Sequence, residues 1–125
     1  MGRRRTDSVE GRAALVTWQA DPAQVPVDAR RAAVRFTLEE LADVAPGNSV
    51  EVRVPPDGAV QAIEGPRHTR GTPPNVVETD PGTWLALATG ALTWAEAVAS
   101  GRVHASGSRA DLSGVLPLQA ARRRP

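Results

Sequence analysis

The 125-residue chain contains no cysteine, no lysine and no tyrosine, and only one phenylalanine, Phe36. Without cysteine there can be no disulfide, thiolate metal site or cysteine nucleophile. Without lysine, all 15 Lys/Arg-type basic residues are arginine. With one Phe and no Tyr, the core has to be built from Ala, Val and Leu. Each of the three tryptophans, Trp18, Trp84 and Trp94, then takes a large share of the buried volume. No run approaches the ~20 apolar residues of a membrane-spanning helix. The arginines of "MGRRRTDSVEG" lead into polar residues rather than an apolar segment, which does not fit an export signal. The expected compartment is the cytoplasm.

Catalytic signatures are missing too. There is no G-x-S-x-G elbow, phosphate-binding loop or dinucleotide fingerprint. The two histidines, His68 and His104, stand at no spacing that matches a known zinc site. His104, Ser106 and Asp111 are close in sequence without forming a triad. The expectation is a chain with no catalytic residues, no cofactor and no metal.

What the chain does have is 41% hydrophobic and 23% charged residues, within the range of a folded domain. The net charge of +1 hides two basic ends, Arg3–Arg5 and Arg122–Arg124. Between them, nine arginines face 14 acidic residues, a net −5 over residues 6–121. Nucleic-acid binders place basic residues on a folded face beside aromatics; here they sit at the chain ends, and no nucleic-acid partner is expected. The ends read as solubilising tails, with transient contact to an anionic membrane surface as the alternative. The expected organisation is a basic N-terminal tail over residues 1–6, one domain over 7–118, and a basic C-terminal tail over 119–125.

Periodicity supplies the elements. Residues 7–20 read as a helix, with Asp7 and Glu10 at capping-box spacing and Gly11 weakening the pattern. Residues 28–45 give the strongest helix, with Val34, Leu38, Leu41 and Ala45 on one stripe, Asp28 as the expected N-cap and Pro46-Gly47 as the stop. "SVEVRVP" (49–55) alternates Val50, Val52 and Val54 with Glu51 and Arg53, as a half-buried strand does. "AVQAIE" (59–64) and "NVVET" (75–79) predict two more strands. Asp80-Pro81 opens a helix that Gly90 closes. Thr93 and Glu96 form a second capping box, and Gly101 ends that helix. "RVHAS" (102–106) reads as a fourth strand, and Leu112, Val115 and Leu116 as a last short helix stopped by Pro117. The order α-α-β-β-β-α-α-β-α predicts an α+β fold, with helices over one face of a mixed, mainly antiparallel sheet.

Two segments are candidate ligand contacts. In the loop "EGPRHTRGTPPN" (64–75), Arg67, His68 and Arg70 could hold an anionic head group, or could be solvated charges on a Pro/Gly-rich loop. Trp84 and Trp94, both at helix starts, could line a cavity or simply fill the core.

The segment "VVETDPGTWLALATGALTWAEAVASGRVHASGSRADLSGVLPL" (76–118) resembles the C-terminal half of the sterol carrier protein type 2-like family. Leu85, Leu87 and Gly90 match its first short helix, Ala97 and Gly101 the second, Val103, Ala105 and Gly107 the following strand, and Leu112 and Leu116 the last element. The whole chain is similar to a bacterial, actinomycete-type branch. The resemblance implies a sheet of about five strands covered by helices, with a hydrophobic tunnel between them. It also implies a non-enzymatic carrier of a lipid or other hydrophobic small molecule: a fatty acyl, sterol or phospholipid ligand. The walls it implies are Trp84, Leu85, Leu87, Trp94, Val98, Leu112 and Leu116. Two features depart from the family: its usual basic residues are replaced at Ala91 and Arg102, and the 64–75 loop lies outside its pattern. The alternative expectation is an interaction module with a closed tunnel, forming a homodimer or partnering a separate enzyme.

Overall fold

The computed structural model describes residues 6–65 and 75–122. Helix α1 spans Ser8–Ala20 and α2 Val27–Val44; strands β1 (Val50–Val54), β2 (Gly58–Ala62) and β3 (Val76–Thr79) follow. Then come α3 (Pro81–Thr89), α4 (Trp94–Ala99), β4 (Val103–Ser106) and the single turn α5 (Gln119–Arg122). The element order is the one the sequence predicts.

Asp7 caps α1: its carboxylate accepts from the Val9 amide at 2.7 Å and from Glu10 at 3.4 Å. The buried side of this helix is Gly11, Ala14, Leu15 and Trp18, and it lies along α2. Gly11 makes that approach possible. A Cβ there would stand 2.4 Å from Phe36 Cγ, well inside van der Waals contact, and Phe36 is fully buried. Arg12 then covers the Phe36 ring, with its guanidinium carbon 5.6 Å from the centroid.

Helix α2 starts one residue earlier than expected. Its N-cap is Pro26, in extended conformation, whose carbonyl accepts from the Arg30 amide at 3.0 Å. Asp28 therefore sits in the first turn instead of at the cap, where its charge still favours the positive end of the helix dipole. One turn on, Arg30 forks onto Asp57 in the β1–β2 turn, with Nε at 2.8 Å and Nη2 at 2.9 Å from the two carboxylate oxygens. Arg31 Nε is 3.5 Å from the same group, whose side chain has no exposure. The Asp57 hydrogen bond holds the Arg30 guanidinium above its ordinary pKa, against the opposing effect of burial. This fork ties α2 to the sheet at the first hairpin.

The sheet has strand order β2-β1-β3-β4. The β1–β2 and β3–β4 pairings are antiparallel, and β1–β3 is parallel. These are the strands found among the described residues, in the mixed, mainly antiparallel α+β arrangement. Register puts Val60, Val52 and Val77 in one row across the sheet, with Val50, Val54, Ala62 and Val103 on the same side. That side is buried under the helices. The other side carries Glu51, Arg53, Glu78 and His104, and Arg53 Nη2 lies 2.7 Å from Glu51 Oε1.

Two local expectations change. Strand β2 ends at Ala62, because Ile63 turns into the left-handed region at φ 70. That strained residue is pinned on both sides: its amide donates to Ala45 O at 2.7 Å, and its carbonyl accepts from Ser49 Oγ at 2.7 Å. Residues 112–116 form a turn instead of a last helix. The Ser113 amide donates to the Asp111 carboxylate at 2.8 Å, and Leu112 is drawn fully into the core. Ser113 and Gly114 are poor helix formers, and Pro117 blocks continuation. The last helical turn falls after it, at α5, where Leu118 and Ala121 are buried.

Candidate functional site

Helix α3 is capped at both ends by local chemistry. The Asp80 carboxylate accepts from the Thr83 amide at 3.0 Å and from the Thr83 hydroxyl at 2.6 Å, and Pro81 supplies the first helical position. Burial pushes the Asp80 carboxyl up, but the Thr83 hydroxyl and the backbone amides outweigh it and leave it below its ordinary range. At the other end Gly90 takes φ 87, a conformation that favours glycine. The chain reverses there. Thr93 and Glu96 then close a reciprocal capping box that starts α4.

After β4 the chain comes back to the same place. The Leu118 amide donates to Ala88 O at 2.9 Å, and Pro117 packs against Gly90. Between the Gly90 reversal, the first turn of α4 and the 113–117 segment lies a cleft of ≈ 550 Å³, in the size range of small-molecule sites. Its apolar wall is Leu87, Leu92, Trp94, Leu116 and Pro117, and its polar lining is Thr89, Thr93 and Ser113.

A second cleft of ≈ 560 Å³ lies between α2 and β2. Its lining mixes Leu38, Ala59 and Val60 with Arg35, Glu39 and the ion-paired Asp57, and those three charges make it less suited to an apolar ligand. Among the described residues no group of three or more His, Asp or Glu side chains is placed to hold a metal ion.

The structure brings three of the anticipated wall residues to the first cleft: Leu87, Trp94 and Leu116. Trp84, Leu85 and Leu112 are at 0% exposure in the core and do not line it. Val98 is 46% exposed on α4. Arg67, His68 and Arg70 lie outside the described residues. Sequence reading missed the rest of the lining, including Thr89, Leu92, Thr93, Ser113 and Pro117. The available signal was the pair of chain reversals at Gly90 and Pro117, which bring positions 27 residues apart onto one another.

Two carboxylates are held by lining residues of the cleft. Glu96 Oε1 accepts from the Thr93 amide and from the Thr93 hydroxyl, both at 2.9 Å. These bonds hold Glu96 below the usual carboxylate range, the amide bond contributing most. The Ser113 hydroxyl, and then its amide, do the same for Asp111. Both acids are exposed to solvent.

A family model described as bacterial SCP ortholog matches residues 27–118, a span that includes every residue lining the cleft. No curated protein matches the chain.

Proposed function

The chain belongs to the bacterial SCP ortholog family, and from that membership we propose that it is a non-catalytic carrier holding a hydrophobic small molecule in the cleft at the end of α3. The observation that carries this reading is the ≈ 550 Å³ cleft whose wall is Leu87, Leu92, Trp94, Leu116 and Pro117. The driving force is apolar burial, at ~25 cal/mol per Å² of surface removed from water. Trp94, half-buried at the start of α4, offers an apolar ring to the ligand. Helix α4 is the movable wall: it is six residues long and buries only Ala97, so it can lift away at little cost.

A second reading has a specific observation behind it. Trp84, Leu85 and Leu112 are fully buried, and Val98 leaves an apolar side chain exposed on α4. Both features suit an interaction module with a closed tunnel.

Extraction of the purified protein followed by mass spectrometry separates the two readings. The carrier reading expects a co-purifying apolar molecule. It also expects a saturable change in tryptophan fluorescence on titration with a long-chain alcohol, and loss of that binding in Trp94→Ala. No co-purified ligand and no response to any lipid class would leave the closed module, and its self-association would then be measured by sedimentation.

A further inference from the structure

We propose that the α3–α4 cleft selects amphiphiles whose polar end donates hydrogen bonds and carries no negative charge, a long-chain amine or alcohol, and discriminates against fatty carboxylates. This inference rests on the carrier reading and concerns the same site.

The threonine hydroxyls of the lining point the wrong way for a carboxylate. The Thr89 hydroxyl donates to Leu85 O at 2.8 Å. Thr93 donates to Glu96 Oε1 at 2.9 Å. Each acceptor is a carbonyl or an ionised carboxylate and has no proton to give back, so the direction of each bond is fixed. A hydroxyl has one proton and two lone pairs. The Thr89 and Thr93 hydroxyls have committed their protons inside the protein, and they offer a ligand lone pairs only. An ammonium or an alcohol can donate to them, whereas a carboxylate, which only accepts, finds no hydroxyl donor among them.

Charge argues the same way. Among the described residues, no lining residue is charged. The charges bonded to the lining, Glu96 on Thr93 and Asp111 on Ser113, are both negative. The arginines on the neighbouring described segments, Arg102 and Arg109, are not part of the lining. At the start of α4 the Glu96 carboxylate accepts from the Thr93 amide, and its negative charge offsets the positive end of that helix. Trp94 adds a ring face of the kind that attracts a ligand cation.

The test uses three probes of one chain length at pH 8: dodecylammonium, dodecanol and dodecanoate, each below its micellar concentration. Binding to the full chain is followed by Trp94 fluorescence and by calorimetry, with Trp94→Ala as the control for binding elsewhere. The expected result is dodecylammonium and dodecanol binding at least about tenfold tighter than dodecanoate. The amine-to-carboxylate ratio should shrink to within about threefold in the Glu96→Gln/Asp111→Asn double variant. Glutamine and asparagine keep an acceptor for the Thr93 and Ser113 amides, so the caps survive. An independent reading is salt: raising it from about 20 mM to about 500 mM should narrow the same ratio, because exposed charges are screened over that range. Dodecanoate binding as tightly as the amine, or a ratio unmoved by both the double variant and salt, overturns the selectivity and leaves the carrier reading standing. If none of the three probes binds, the carrier reading fails and the selectivity with it.

Discussion

The indole Nε1–H of Trp84 donates to the hydroxyl of Thr37, 2.8 Å away and 47 residues back in the chain, with both residues fully buried. Thr37 passes its own proton to Ala33 O at 2.8 Å and shares it with Val34 O at 3.0 Å. One hydroxyl therefore satisfies α2 and α3 together, and Trp84 becomes a core bolt between them. Thr37→Val keeps the shape and removes the acceptor. It strands a buried N–H and should cost about 1–3 kcal/mol in urea unfolding. In a Trp84→Phe background there is no N–H to strand, and the same change should be close to neutral. Equal costs in both backgrounds would mean that the hydrogen bond contributes nothing.

Gly11→Ala sets two effects of opposite sign against each other. In an exposed helix alanine gains about 1 kcal/mol over glycine. Here the new methyl would meet the Phe36 ring at 2.4–2.6 Å, and Phe36, at 0% exposure, has no free space to move into. Overpacking of this kind costs about 1–3 kcal/mol or more, so the clash outweighs the propensity gain. The melting temperature should fall by several degrees, and truncating the ring in Gly11→Ala/Phe36→Leu should recover part of the loss. A melting temperature that rises in the single variant would show that α1 does not rest on Phe36 as described.

Acid sensitivity should trace in part to the cap of α3. Burial raises the Asp80 carboxyl and the Thr83 bonds lower it further, for a net depression. A carboxyl depressed on folding adds stability that is complete above its unfolded value of about 3.9. That stability drains away as pH falls through the lower folded value. Wild type should therefore lose its advantage over Asp80→Asn between about pH 5 and the acid limit of folding. The check is a series of melting curves from pH 7 down to pH 3 on both proteins. A difference that stays constant with pH would remove Asp80 from the account.

Much of the fold could be read locally. Val50, Val52 and Val54 alternate with Glu51 and Arg53, and the strand they form buries the valines. Asp80, Pro81 and Gly90 delimit α3, and Thr93 with Glu96 starts α4, as their chemistry requires. Where several contacts compete, local signals fail. Leu112, Val115 and Leu116 have a helical spacing, yet Asp111 takes the Ser113 amide and the core takes Leu112, so the segment becomes a turn. Gly11 reads as a weak point in α1 until Phe36 is seen resting on it.

The candidate site was legible only in part, for the same reason. Leu87, Trp94 and Leu116 were named as wall residues, and all three line the cleft. Trp84, the fourth residue of α3 where Trp94 is the first of α4, is locked in the core instead. Position near a helix start does not by itself decide burial. What separates them is Thr37 on another helix, and the 113–117 segment that folds back beside Gly90. The sequence by itself determined caps, periods and strand alternation, because these depend on neighbours a few residues away. The tertiary structure alone decided which tryptophan is a bolt and which borders a cleft. Burial and hydrogen-bond direction are properties of surfaces brought together from distant parts of the chain.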